Sequence, residues 1–171
     1  MRPGVGTIYD VQPEPIDPRC SIRFSASSVT LILESRIVDE ESLAASYADD
    51  PAGLAEIQRS MPEEGFSDRG MSIHVVGAED EHEYLRFDVF DDDPHYHYIR
   101  PNKTHNHWVP FDAVSGGDMF DFVMRCLSTR LPEMLCEAGG ESAALDLEPD
   151  DLHAAVKSLQ KAALLARDAG R

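Results

Sequence analysis

Residues that would name a chemistry are scarce in this chain. It contains no G-x-x-x-x-G-K-[ST] phosphate loop, no G-x-S-x-G, no H-E-x-x-H and no paired C-x-x-C, so no motif identifies a reaction. Cysteine is limited to Cys20, Cys126 and Cys136, an odd number without metal-knuckle spacing, and no basic flank followed by an apolar run resembles a signal peptide. A disulfide framework is therefore not expected, and a reducing cytoplasm is the expected setting. No stretch approaches the roughly 20 consecutive apolar residues that span a bilayer. Positive charge is also in short supply: 15 Lys and Arg stand against 32 Asp and Glu, a formal charge of −17. Long-range repulsion then opposes nucleic acid and anionic membrane as partners. The dense acidic runs EDEHE (79 to 83) and DVFDDD (88 to 93) read as solvated loops ahead of a nucleic-acid mimic.

What is present is sufficient for one globular core: 171 residues, 42% apolar and 27% charged. The first nineteen residues hold four prolines and two glycines, which leaves room only for a short extended piece around Thr7 to Tyr9. They are expected to form a Pro-rich arm (1 to 19) ahead of a single α+β domain (20 to 171). Residues 20 to 36 read as a strand or hairpin with SASS as the turn. Residues 38 to 61 read as two short helices divided at Asp50-Pro51. From Met71 to Phe111 the pattern has period two, with strands expected at 71 to 76, 83 to 90, 95 to 100 and 106 to 111 as an antiparallel meander. Asp118 can cap a helix whose stripe is Phe120, Val123, Leu127, Leu131 and Leu135, with Pro132 as a kink or break. A last helix opens at EPDD and is expected to bury Leu152, Val156, Leu159, Ala163 and Ala166. The expected architecture is an antiparallel meander sheet with C-terminal helices packed on one face.

Four of the seven histidines fall within PHYHYIRPNKTHNHWVPFD (94 to 112), as two His-x-His pairs. If EYLRFDVF and HYHYIR form a hairpin with a two- or four-residue loop, Phe90 pairs with His95, Asp88 with His97 and Arg86 with Ile99. The opposite face is then apolar throughout, with Val89 against Tyr96 and Phe87 against Tyr98. A one-residue slip would bury both imidazoles among Leu85, Phe87 and Val89, so Arg86, Asp88, His95 and His97 share the polar face. Two histidines and one carboxylate form the ligand set of non-haem iron sites, and with an open position they suit catalytic zinc. His107 is a further candidate ligand, and Arg86, His105 and Trp108 are candidates for contacting a substrate. Whether the second pair joins the first depends on the parity of RPNKT: His97 opposite His107 gathers all four histidines, whereas Tyr98 opposite His107 sends the second pair to the other side.

The segment YLRFDVFDDDPHYHYI (84 to 99) resembles the signature of an uncharacterised bacterial domain family of small proteins, and the likeness extends through HWVPFD towards Asp118. The resemblance implies a bacterial, cytoplasmic source and assigns no activity or site residue.

Two functions from different classes follow. One is a small cytoplasmic protein with a mononuclear iron or zinc site on a His-rich sheet face, binding or transforming a small molecule. The other is a non-catalytic accessory or small subunit, docking through its Pro-rich arm and acidic surface on a larger protein. A homo-oligomer is compatible with both. A plain polar sheet face, with Asp88 and His97 as an exposed cross-strand pair, is the structural alternative to a site.

Overall fold

The computed structural model describes residues 6–59, 61, 65–101 and 106–169. Among these, seven strands form one antiparallel sheet in the order β1-β7-β6-β5-β4-β3-β2. The strands are β1 (Thr7–Tyr9), β2 (Ser21–Ala26), β3 (Val29–Asp39), β4 (Ser67–Gly77), β5 (Glu83–Phe90), β6 (His95–Ile99) and β7 (Asn106–Pro110). From β2 to β7 each strand pairs with the next in sequence, so the meander expected over 71 to 111 is present as β4 to β7 and continues through β3 to β2. The turn between β2 and β3 is Ser27-Ser28, where Ser27 takes a left-handed φ of 46°.

The helices are α1 (Glu40–Ser46), α2 (Pro51–Gln58), α3 (Ala113–Gly116), α4 (Met119–Thr129), α5 (Leu131–Glu137), α6 (Glu141–Leu145) and α7 (Pro149–Ala169). Local chemistry accounts for their limits. Asp39 and Ser42 form a capping box on α1, and Asp50 caps α2 with Pro51 in its first turn. Asp118 accepts from the Asp121 N–H at the start of α4, and Pro132 separates α5 from it. Gly139, at φ 86°, ends α5 in the conformation glycine adopts most readily.

The C-terminal helices cover one sheet face. Phe120, Val123, Leu127, Leu131 and Leu135 pack with Leu152, Val156, Leu159 and Ala163 against Leu31, Ile73, Leu85 and Phe87, all buried. The α7 stripe stops at Ala163, and Ala166 is exposed near the free end of the helix.

The C-terminal helices thus pack on one face, as expected, and the opposite face is covered as well, by the arm and α1. The cause is connectivity. β1 pairs with β7 at one edge, while β2 lies at the other, so the arm must cross the sheet between them. It crosses the polar face and is anchored there by charge. Glu14 accepts from Arg36 of β3 at 2.7 Å and from Ser46 of α1 at 2.8 Å, and its carbonyl accepts from Arg86 of β5 at 2.6 Å. The Asp17 N–H donates to Glu34 at 2.9 Å, and the Tyr47 hydroxyl donates to the Gln12 carbonyl at 2.7 Å. A second apolar cluster of Val11, Val38, Leu43, Tyr47 and Phe90 packs the arm and α1 onto this face. The arm's anchoring groups thus find their partners within the chain.

Candidate metal centre

Strand parity builds the site. In a strand, alternate side chains share a face, so Ser72, Arg86, Asp88, His95 and His97 point away from the C-terminal helices. The observed β5–β6 register pairs Asp88 with His95, Arg86 with His97, Phe87 with Tyr96 and Leu85 with Tyr98. It differs by two residues from the expected pairs, because the Asp91 N–H still bonds the Arg69 carbonyl and the Asp68 carboxylate accepts from the N–H groups of Asp92 and Asp93. These bonds hold the connection to β4 and lengthen it. An even shift leaves each face intact, so the polar set remains together.

Nε2 of His95 and Nε2 of His97 each lie 3.2 Å from the same oxygen of Asp88. One ligand atom from each of the three residues falls within 4.8 Å of the others. Each member is oriented from behind. His95 Nδ1 lies 2.6 Å from the carbonyl oxygen of Asp93, and His97 Nδ1 lies 2.5 Å from Oδ1 of Asn106. The Ser72 hydroxyl donates to the other oxygen of Asp88. The Trp108 ring lies beside His95, with centroids 5.3 Å apart, and Phe90 meets it edge-on at 5.8 Å. Asp88 and His97 are buried, at 4% and 6% exposure, so the bland reading of an exposed cross-strand pair does not hold.

The electrostatics follow from this packing. Burial by itself would raise the Asp88 carboxyl, but the His95 and His97 imidazoles packed against it hold it well below the usual carboxylate range. Burial disfavours the charged form of His95 too, yet Asp88 and the Asp93 carbonyl outweigh it and raise this imidazole above its ordinary value. His97 goes the other way: burial, with the charge of His95 added, lowers it against the pull of Asp88. The shared carboxylate therefore favours the charged form of His95, while burial favours the neutral form of His97.

Of the other sequence candidates, His107 is opposite Tyr98, on the face of the C-terminal helices, and cannot join the other ligands. The connection between β6 and β7 has the parity that separates the two pairs. His105 lies outside the described residues. Trp108 is on the site face and lines the cavity there. Arg86 also reaches the cavity, but its guanidinium grips Glu83 through two bonds of 2.8 Å. Sequence reasoning missed Asn106, Ser72, Glu14 and the Asp93 carbonyl. The parity that removes His107 brings Asn106 in, so the only available signal was the loop length that the sequence left open.

Beside this group is a buried charge network. His74, fully enclosed, bridges Glu34 at 2.9 Å and Glu83 at 2.6 Å, and Arg36 and Arg86 supply the cations. Over Asp88, His95 and His97 lies a cavity of about 580 Å³ between the sheet, the arm and α1–α2.

The fold and this face define an α+β protein with a buried Asp/His/His group able to hold a metal ion. The chain belongs to the family described as Domain of unknown function (DUF7700), whose model matches residues 23–163. No curated protein and no solved structure matches it. Among the described residues, no helix is long and apolar enough to cross a membrane.

Proposed function

We propose that Asp88, His95 and His97 hold one divalent transition metal, iron or zinc, and that the protein binds or transforms a small molecule at the coordination positions left open. The observation that supports this reading is the orientation of the two rings. A carbonyl oxygen only accepts, so His95 donates from Nδ1 to Asp93, and His97 likewise donates to Oδ1 of Asn106. A neutral imidazole that donates from Nδ1 presents a lone pair at Nε2, and both Nε2 atoms face one carboxylate oxygen. In the neutral rings two lone pairs and a carboxylate oxygen thus converge on one point. A divalent ion satisfies all three donors at once, and histidines backed by carbonyl acceptors are the usual arrangement around bound metals.

Two histidines and a carboxylate are the donor set of non-haem iron(II) and, with an open position, of catalytic zinc. Such an ion polarises a coordinated oxygen or acidifies a coordinated water. The chain's own residues have definable tasks. Ser72 fixes the Asp88 carboxylate, Asp93 and Asn106 fix the ring tautomers, and Trp108 and Phe90 shield the His95 ring from water. The test is metal analysis of untagged protein, with His95→Ala/His97→Ala as the control. Near-stoichiometric metal that disappears in the double variant is expected; sub-stoichiometric metal unchanged by the substitutions would end this reading.

A further inference from the structure

We propose that the cavity over Asp88, His95 and His97 selects an uncharged, largely apolar small molecule that presents an oxygen-donor head to the metal; this rests on the metal reading above. The cavity is chemically polarised. At one end the three donor atoms converge. Beyond them the walls are Leu43, Tyr47 and Ile57 on the helical side and Phe66, Phe90 and Trp108 on the sheet side. Phe90 and Trp108 both touch the His95 ring, so the apolar wall begins at the ligand side chain itself. At about 580 Å³ the space matches the concave, mostly apolar sites that enclose small ligands.

The charge of the ligand follows from how the lining cations are used. Two arginines face the cavity, and both are already paired. Arg36 is held by Glu14 at 2.7 Å and Glu34 at 3.6 Å, and Arg86 is held by Glu83. Asp92 and Asp93 also line the space and add negative charge. An anionic ligand would have to displace a buried carboxylate from its arginine or enter unpaired, and the net charge of −17 opposes its approach. An uncharged body meets no such opposition and gains the burial of its apolar surface.

Three hydroxamic acids that share one chelating head separate these terms. Acetohydroxamic acid lacks an apolar body, benzohydroxamic acid has an uncharged aromatic one, and 4-carboxybenzohydroxamic acid adds an anion to it. Each is titrated into the zinc-loaded full chain by calorimetry and by the fluorescence of Trp108, the single tryptophan. Benzohydroxamic acid is expected to bind about tenfold or more tighter than either of the others. Equal affinities, or tightest binding by the carboxylate, would overturn the proposal, the latter by showing that the arginines receive an anion. A second pair without a chelating head, naphthalene and 2-naphthoate, is titrated into the metal-free protein. If zinc fails to bind but naphthalene binds about tenfold or more tighter than 2-naphthoate, the metal reading alone has failed and the apolar selectivity of the cavity stands. If 2-naphthoate binds as tightly or more tightly, the selectivity itself is wrong.

Discussion

Glu14 fastens the arm across the site face, and Glu14→Ala measures how firmly. The side chains of Glu14 and Arg36 are only 8% and 9% exposed, so solvent screens their 2.7 Å contact weakly. The substitution removes this charged hydrogen bond and the 2.8 Å bond from Ser46. Breaking a buried ion pair costs about 3–5 kcal/mol when the remaining charge is stranded. Arg36 is not fully stranded, because Glu34 remains at 3.6 Å, and a single hydrogen bond to a charged group contributes about 1.5–3 kcal/mol. The expected loss is therefore about 2–3 kcal/mol, the lower part of that combined range. At about 2–4 °C per kcal/mol for a chain of this size, Tm falls by roughly 4–12 °C. Urea unfolding followed by Trp108 fluorescence should show a lower midpoint at unchanged slope. Arg36→Met and the double variant complete a thermodynamic cycle, in which the pair should couple by about 1 kcal/mol or more. A loss below about 0.5 kcal/mol for Glu14→Ala, the range of an ordinary surface substitution, would refute an arm anchored through this pair.

Three further outcomes are expected. Asn106→Ala leaves the His97 Nδ1–H without its acceptor and frees the ring to change tautomer, so metal affinity should drop about 10–100-fold in a competition titration; unchanged affinity would remove Asn106 from the site. Burial alone would raise the Glu83 carboxyl, but Arg86 and then His74 hold it below the ordinary carboxylate range. A group depressed in the folded state contributes stability that is present above its unfolded value of about 4.3 and lost as pH falls below it. Metal-free protein should accordingly lose stability more steeply below about pH 4.5 than Glu83→Gln does, and parallel curves would contradict this. Phe87 is fully buried between the sheet and the C-terminal helices, so Phe87→Ala should cost about 3–5 kcal/mol in the same urea assay, and a loss under 1 kcal/mol would place it outside the core.

Elements with a local signal were legible in the sequence. Asp118 and Pro132 marked the limits of α4 and α5, the Ser27-Ser28 turn joined β2 to β3, and Thr7 to Tyr9 formed an extended piece of the arm. The faces of β5 and β6 were legible too, since Phe87 and Tyr96 could be buried together only if Asp88 and His95 shared the other side. Their pairing was not, because the length of that connection is set by Asp68 on β4, more than twenty residues away in sequence. The fate of His107 likewise depended on a loop whose residues favour a turn without fixing its length. The cover over the polar face is a consequence of topology: only once β1 is known to pair with β7 must the arm cross the sheet, carrying Glu14 to Arg36 and Arg86. Short polar patterns cannot encode that path.

The central claim is that one ion sits where three side chains converge, and an anomalous-difference map from crystals grown with zinc or iron locates it directly. The expected result is one dominant peak bonded to Nε2 of His95, Nε2 of His97 and a carboxylate oxygen of Asp88, at about 2.0–2.2 Å from each. Crystals whose anomalous peaks fall only on surface carboxylates, with none between these three residues, would contradict it.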